Sequence, residues 1–255
     1  MSQPTDGADS AGVPWEGRHF EANPHASDDG SADPALLAAL TAFRAGQGDQ
    51  AAVVDALRHA RVLIPLVAEK GDEGVGAHGL PVDKTQELSI VTVAAPDGRK
   101  VLPVFSSVDA LARWDPQARP IPVEAVRAAL AASAEQTDLI VLDPTSDTEF
   151  VVRRPAVWAI AQGEPWLPSF ANPDVFLGLQ QSVSGELAVL DLTVEPGDRE
   201  ARLRGPELVV RLTLMSGLDR GELDAVLARL ARRWSTDDRV ATLVDSLSVK
   251  LDRAE

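Results

Sequence analysis

Two adjacent hydroxyls, Ser106 and Ser107, are the residues of this chain best placed for nucleophilic chemistry. They lie in the stretch KVLPVFSSVDALARW, residues 100–114, where an apolar run gives way to a helical pattern. A strand-to-helix turn of this kind is where many hydrolases hold a nucleophile. No glycine flanks either serine, however, and Asp109 follows Ser106 at the spacing of a helix start. The pattern therefore predicts that Ser106 is the N-cap of a helix over 107–114 and that the segment is a structural corner.

A hydrolase-like enzyme with a site assembled from dispersed residues is the alternative hypothesis. It would use Ser106 as nucleophile, His59 or His78 as base, and an aspartate to orient the base. A hydroxyl within about 3.2 Å of an imidazole in a concave pocket would favour it. The sequence by itself supports no catalytic residue.

The glycine-rich loop after the first predicted strand resembles a dinucleotide motif in spacing alone. Gly74, Gly76 and Gly79 give a formal G-x-G-x-x-G. Leu80-Pro81 and a strand follow where a helix N-terminus should receive the pyrophosphate. We therefore predict a plain loop and no cofactor.

The chain has few of the side chains that metal binding or thiol chemistry requires. It has no cysteine, which excludes thiolate catalysis and cysteine-ligated zinc or iron–sulfur clusters. Its four histidines show no H-x-x-x-H or H-E-x-x-H spacing. No metal site is predicted.

Aromatic and arginine residues outside the regular patterns are the candidates for binding a partner. Five tryptophans stand out in a chain of 4% aromatic residues. Two of them and three arginines sit on an N-terminal arm, a linker and a strand end, where side chains reach a surface. The candidate partner-binding residues are Trp15, Arg18, Arg153, Arg154 and Trp166.

The charge of the chain limits its partners. The formal net charge is -15 and the pI is near 4.6, whereas nucleic acids and anionic membranes require a positive surface. The first residues lack the pattern of a signal peptide, and the apolar runs are about half the length of a membrane span. We expect a cytoplasmic protein whose partner is another protein.

The fold class predicted from these patterns is α+β, with two small layered domains, each a mostly antiparallel or mixed sheet packed with helices. Residues 1–34 form an acidic, partly disordered arm with seven acids and one base. The remaining parts are a first domain at 35–165, a proline-rich linker at 166–173 and a second domain at 174–255.

In the first domain, Asp33-Pro34 opens a helix, and a second helix starts near Asp49. Strands are predicted at 61–69 and 138–144. The segments on either side of Pro96-Asp97-Gly98-Arg99 are predicted to form a hairpin, and a further helix follows Pro122 at 123–135. Pro103 cannot donate to a ladder, so it predicts an edge strand or a bulge.

In the second domain, the order helix (174–184), strand (186–195), strand (206–215), helix (219–235), strand (245–251) predicts a small antiparallel sheet with two helices on one face. Asp219 and Glu222 form the capping pattern of the longest helix. Dimerisation through an edge of this sheet is a third hypothesis.

Several of these stretches together resemble the SseB family, named for enhanced serine sensitivity, in its actinobacterial form. The similar segments are PDGRKVLPVFSSVDALARWDPQARPIPV, DLIVLDP and FVVRRPAVWAIAQGEPWLP. The resemblance covers roughly residues 35–165, and 174–255 resemble the family's C-terminal domain more weakly. It implies an α+β module with no catalytic residue to carry over, tied by name to serine and sulfur amino-acid metabolism. The leading hypothesis is thus a non-enzymatic binding or regulatory protein.

Overall fold

The structure is a computed structural model that describes residues 28–68, 74–75, 81–82, 88–90, 92–95, 97–135, 137 and 139–253. In the first half of the chain the helices are α1 (Pro34–Arg44), α2 (Gln50–Arg58), α3 (Val108–Trp114), α4 (Ala125–Ala134) and α5 (Arg154–Gln162). The strands are β1 (Arg61–Ala68), β2 (Gly74–Val75), β3 (Pro81–Val82), β4 (Leu88–Ile90), β5 (Val93–Ala94), β6 (Lys100–Val104), β7 (Arg119–Glu124), β8 (Ile140–Leu142) and β9 (Phe150–Val152).

Helix starts in this half follow from local chemistry. The Asp33 carboxylate accepts hydrogen bonds from the backbone of Ala35 (2.9 Å) and Leu36 (3.0 Å), and Pro34 begins α1. Leu36 and Leu40 then bury one face of the helix. The predicted start of α1 is confirmed because a short acidic side chain satisfies N–H groups that have no partner in the helix.

Two sheets form the framework of this half. One has the order β4-β1-β7 and is antiparallel, and the other has the order β5-β6-β8-β9, in which β6 and β8 run parallel. Leu63 and Phe105 exchange two backbone hydrogen bonds (2.8 and 2.9 Å) and so join the sheets. The predicted hairpin is present as the β5–β6 pair.

Pro103 lies where β6 changes neighbours. On one side, β6 pairs with β8 over residues 102–104. On the other side, β5 pairs with Val101 and β1 bridges to Phe105, so the position between them lacks a ladder bond to donate. As a whole β6 is not an edge strand, but the side that Pro103 faces is locally open, which is why proline fits.

In the second half a 3-10 turn at Ser169–Ala171 precedes α6 (Pro173–Val183), β10 (Val189–Pro196), β11 (Leu208–Leu214), α7 (Arg220–Thr236), α8 (Asp238–Leu243) and β12 (Leu247–Arg253). The sheet order is β10-β11-β12. The expectation of an antiparallel sheet is wrong for one pair, since β11 and β12 are parallel. The α7–α8 crossover makes this possible because it returns the chain to the end where β11 began.

The two largest of four buried clusters among the described residues form the cores of the two halves. One lies among α1, α2, α4, α5 and the strands beside them, and the other between α6, α7, α8 and the β10-β11-β12 sheet. The predicted linker bridges them, since Trp166 packs against the first cluster and Phe170 against the second. The class α+β is confirmed, while the division into domains stays a prediction.

Candidate functional site

The Ser106 corner is occupied by structural hydrogen bonds. Ser106 is buried, its Oγ donates to Asp143 Oδ2 (2.7 Å) and its backbone N–H donates to Asp143 Oδ1 (2.7 Å). The predicted cap is wrong by one residue, because Ser107 Oγ is the acceptor for the N–H of Ala110 (3.1 Å) at the start of α3. The Ser106 hydroxyl therefore has a structural role at this corner.

The two histidines proposed as bases do not complete a site with Ser106 in the described part of the chain. His59 is exposed at the C-cap of α2, and no hydrogen bond joins it to Ser106. His78 lies outside the described residues, as do Trp15, Arg18, Gly76 and Gly79. Among the described residues, the elements that follow β2 are the strands β3 and β4, whereas a dinucleotide site needs a helix there.

The adjacent residues Arg153 and Arg154, at the start of α5, point to different surroundings. Arg153 was expected at a surface, but only 6% of it is exposed, so that prediction is wrong. Arg154 is half-buried and Trp166 is half-buried against the first core cluster. Trp158 is not among the predicted binding residues, but 36% of it is exposed. The Arg154 guanidinium lies over its ring, 5.2 Å from the ring centre.

Arg153 is the centre of a buried ionic network that ties the two halves of the chain. Its guanidinium donates to Asp198 Oδ2 (2.7 Å), Asp245 Oδ2 (3.0 Å) and the Gly205 carbonyl (2.8 Å). The side chains of Asp198 and Asp245 are 3% and 2% exposed. Since a buried charge is stable only when paired, these three residues fix each other's positions.

Two carboxyls of this network have opposite pKa shifts. Burial opposes ionisation of Asp245, but the hydrogen bonds and charges of Arg99 and Arg153 outweigh it and hold the pKa of Asp245 below its usual range. Burial raises the pKa of Glu207, although Glu207 accepts hydrogen bonds from the backbone of Asp245 and Ser169. The network is thus internally balanced and has few free charges for a ligand.

A depression of about 770 Å³ lies over this network and is lined by Asp97, Arg99, Leu203, Arg204, Gly205, Pro206 and Ser246. Arg99 pairs there with both Asp97 (2.7 Å) and Asp245 (2.9 Å). Because its main charged groups already bind each other, this depression is a weaker candidate than the groove beside it.

The apolar groove, as we call it, lies between α7, α8 and β12. It has a volume of about 450 Å³ and is lined by Arg154, Leu227, Ala231, Trp234, Ser235, Val240, Ala241, Val244, Asp245, Ser246, Leu247 and Val249. Ala231 and Ala241 are exposed in it. Trp234 is buried at its base, where Nε1 donates to Ser182 Oγ (2.7 Å). Its side chain is therefore a fixed part of the wall.

One long side of the groove is a strand edge. Among the described strands, β12 pairs with β11 alone, so its other edge offers unpaired N–H and C=O groups. Leu251 of this strand is 42% exposed. An apolar groove beside an open strand edge can take up an extended polypeptide.

Arg154 supplies the charge at one end of the groove. Its Nη2 donates to the carbonyls of Val244 (2.9 Å) and Ala241 (3.2 Å). Carbonyls at the C-terminal end of a helix have no hydrogen-bond donor within the helix, so Arg154 supplies one. Among the described residues, no carboxylate forms an ion pair with it. The cation thus has capacity to bind an anionic group on a ligand.

Every helix among the described residues is too short or too polar to span a lipid bilayer. In the same part of the chain, no three histidine, aspartate or glutamate side chains are grouped to hold a metal ion.

The fold and these surfaces define an α+β protein with an apolar groove that borders a sheet edge. Within this class, residues 36–159 match the family model of the SseB protein N-terminal domain. The chain therefore carries an SseB N-terminal domain, and the resemblance found in the sequence is confirmed for this part. No curated protein and no solved structure matches the chain.

Proposed function

We propose that this protein is a non-enzymatic binding module that takes up an extended, mainly apolar segment of another protein in the apolar groove. The observation that carries the proposal is the position of the groove beside the unpaired edge of β12. Backbone hydrogen bonds to an edge strand supply affinity in this mode, and side-chain pockets supply selectivity.

The chemistry of the groove describes its partner. Leu227, Trp234 and Val249 offer apolar contacts, so alternate side chains of the bound segment are apolar. Arg154 is the cation at the end near the start of β12, which favours a carboxylate on the segment at that end. The partner is therefore an extended segment with alternating apolar residues and one acidic group.

The state of Ser106 supports binding over hydrolysis. Its hydroxyl donates to the buried carboxylate of Asp143, so that carboxylate holds a backbone corner and does not orient an imidazole. The SseB resemblance adds the expectation of a regulatory or accessory role in serine or sulfur amino-acid metabolism in the cytoplasm.

A selection experiment tests the groove. Random peptides displayed on phage are selected on the full chain, and the enriched sequences are measured by fluorescence anisotropy. Ala231→Lys places a charged side chain in the groove and is expected to weaken binding about tenfold or more, since a cation would be buried without a partner. Ala231 is exposed on α7, so the fold tolerates the change.

Ala225→Lys is the matched control, because Ala225 is exposed on the opposite face of the same helix and does not line the groove. It should bind the selected peptides like the unaltered chain. Peptides that bind Ala231→Lys equally well would overturn the proposal. A dimer that Ala231→Lys dissociates, seen by light scattering after gel filtration, would show instead that a second copy occupies the groove.

A further inference from the structure

The loop between β10 and β11, residues 197–207, carries three arginines to one place. Arg199, Arg202 and Arg204 surround a pocket of about 300 Å³ together with Phe43 and Arg44 of α1 and with Glu200. We call this the arginine pocket. It is separate from the apolar groove, with which it shares no lining residue.

Two apolar residues anchor the loop in the protein interior, and its arginines stay outside the hydrophobic clusters. Ala201 packs in the first core cluster and Leu203 in a smaller one beside β8 and β9. The N–H of Val151 donates to the Ala201 carbonyl (2.8 Å), and the Asp198 carboxylate accepts from the N–H of Leu203 (2.7 Å). Burial of Ala201 and Leu203 thus fixes the positions of the neighbouring arginines, Arg202 and Arg204.

This anchoring forces an unfavourable backbone. Ala201 and Leu203 have φ angles of 49° and 57°. A left-handed conformation costs about 1–2 kcal/mol for a residue with a Cβ. Strain of this kind is retained where the surrounding structure enforces it, and it is common at ligand sites.

The cations of the pocket form few direct ion pairs. Arg204 pairs with Glu200 (3.2 Å), but both side chains are mostly exposed. No carboxylate of a described residue forms an ion pair with Arg44, Arg199 or Arg202. Arg44 donates instead to the backbone carbonyls of Glu149 and Glu200.

The electrostatic effect is visible at Arg44. Burial lowers the pKa of this guanidinium and the nearby charge of Arg202 lowers it further, although the carboxylates of Glu200, Glu149 and Asp198 act in the opposite direction. Other arginines of this acidic chain, such as Arg211, Arg229 and Arg239, do pair with carboxylates. A concentration of unpaired cations in a chain of net charge -15 favours a local anionic ligand.

We propose that the arginine pocket binds a small phosphate-bearing anion. Guanidinium groups present planar pairs of N–H donors that match phosphate oxygens, and a dianion offsets more than one of the converging charges. Glu200 at the rim disfavours a long acidic polypeptide, which would have to pass it. Phe43 lines one side of the pocket, where the Arg44 guanidinium lies 5.1 Å from the centre of its ring.

Calorimetry and thermal unfolding of the full chain test the proposal. Sodium phosphate is titrated against sodium chloride at equal ionic strength, and phenyl phosphate is the second probe. Phosphate should bind and raise the unfolding temperature, because a ligand of the folded state stabilises it. Binding of phenyl phosphate alone would place the phosphate on an organic carrier and would still support the site.

The double variant Arg199→Gln/Arg202→Gln should bind at least about tenfold more weakly, since charge-assisted hydrogen bonds are lost. Neither side chain holds the fold strongly: Arg199 has no partner among the described residues, and Arg202 reaches only the Asp147 carbonyl at 3.4 Å. An unfolding temperature in chloride equal to that of the unaltered chain checks this.

Arg220→Gln/Arg232→Gln is the matched control, which removes the same charge from exposed positions on α7. It should bind phosphate like the unaltered chain. Equal loss in both double variants would show a general charge effect and overturn the site. The proposal is equally wrong if neither probe binds, or if a poly-glutamate peptide binds while both phosphates do not.

Discussion

At the scale of single residues, Ser106 and Ser107 have different tasks although they are chemically alike. Ser106 holds the buried carboxylate of Asp143, which also accepts from Thr148 Oγ1 (2.9 Å). Ser107 caps α3 at a half-buried position. Asp143 itself has a φ of 48°, so the corner combines backbone strain with a set of short hydrogen bonds.

The difference between the serines can be measured. We expect Ser106→Ala to lower the free energy of unfolding by about 2 kcal/mol, because a buried carboxylate loses a hydrogen bond. Ser107→Ala should lower it by about 1 kcal/mol through loss of the cap. Urea denaturation of both variants gives the comparison, and a larger effect of Ser107→Ala would contradict the assignment.

At the scale of elements, β7 shows that prolines at alternate positions are compatible with an edge strand. The sequence RPIPVE, residues 119–124, contains two prolines, and no strand was predicted over it. The backbone N–H of Ala125 donates to the Ala60 carbonyl (3.0 Å), which sets the alternation of β7. Pro120 and Pro122 then occupy positions that face the open edge of the sheet, where no N–H is needed.

A proline moved by one position should therefore be harmful. Ile121 lies between the two prolines and is 40% exposed. Its backbone N–H and C=O point towards Ile64 of β1. We expect Ile121→Pro to lower the free energy of unfolding by about 2 kcal/mol, because a ladder bond is lost and its acceptor is left without a donor. The control Ile121→Ala removes the side chain but keeps the N–H. Equal effects in chemical denaturation would show that the strand alternation is assigned wrongly.

At the scale of the whole molecule, the ionic network around Arg153 links the two cores. Arg153 belongs to the first half, and its partners Asp198 and Asp245 belong to the second. The 197–207 loop, which belongs to the second half, also packs Ala201 and Leu203 into apolar clusters of the first half. The halves are thus coupled by both charge and packing.

This coupling should depend on pH. Asp245→Asn is expected to lower the free energy of unfolding by about 3 kcal/mol at pH 7, since the buried guanidinium of Arg153 loses one of its two carboxylate partners. The folded-state pKa of Asp245 lies below the unfolded value, so its contribution is present above the unfolded pKa and is lost as the pH falls through the folded pKa.

The stabilities of the unaltered chain and Asp245→Asn should therefore begin to converge as the pH falls below about 4, the unfolded pKa of an aspartate, and should meet only below the folded pKa. Urea midpoints at pH 7, 5, 4 and 3 measure the difference between them, and the effects of the other carboxyls cancel in the comparison. A difference that stays constant over this range would mean that the ionised Asp245 does not stabilise the network.

Much of the local structure could be predicted because it depends on neighbours in the chain. The Asp33-Pro34 start of α1 and the Asp219–Glu222 capping box of α7 are both present. Signals of this kind need four residues at most, so the sequence alone contains them. The interpretation of Arg153 as a surface residue failed because a strand-end arginine has no local signal for its distant partners.

The sequence by itself determined the α+β class, most helix and strand positions, the absence of cysteine chemistry and the resemblance of 36–159 to the SseB N-terminal domain. Only the tertiary structure decided which of two neighbouring arginines is buried, which serine caps α3, and that β12 leaves an open edge beside an apolar groove. The physical reason is that caps and periodicity act within a few residues, whereas burial, ion pairing and strand neighbours join residues that the chain separates by dozens.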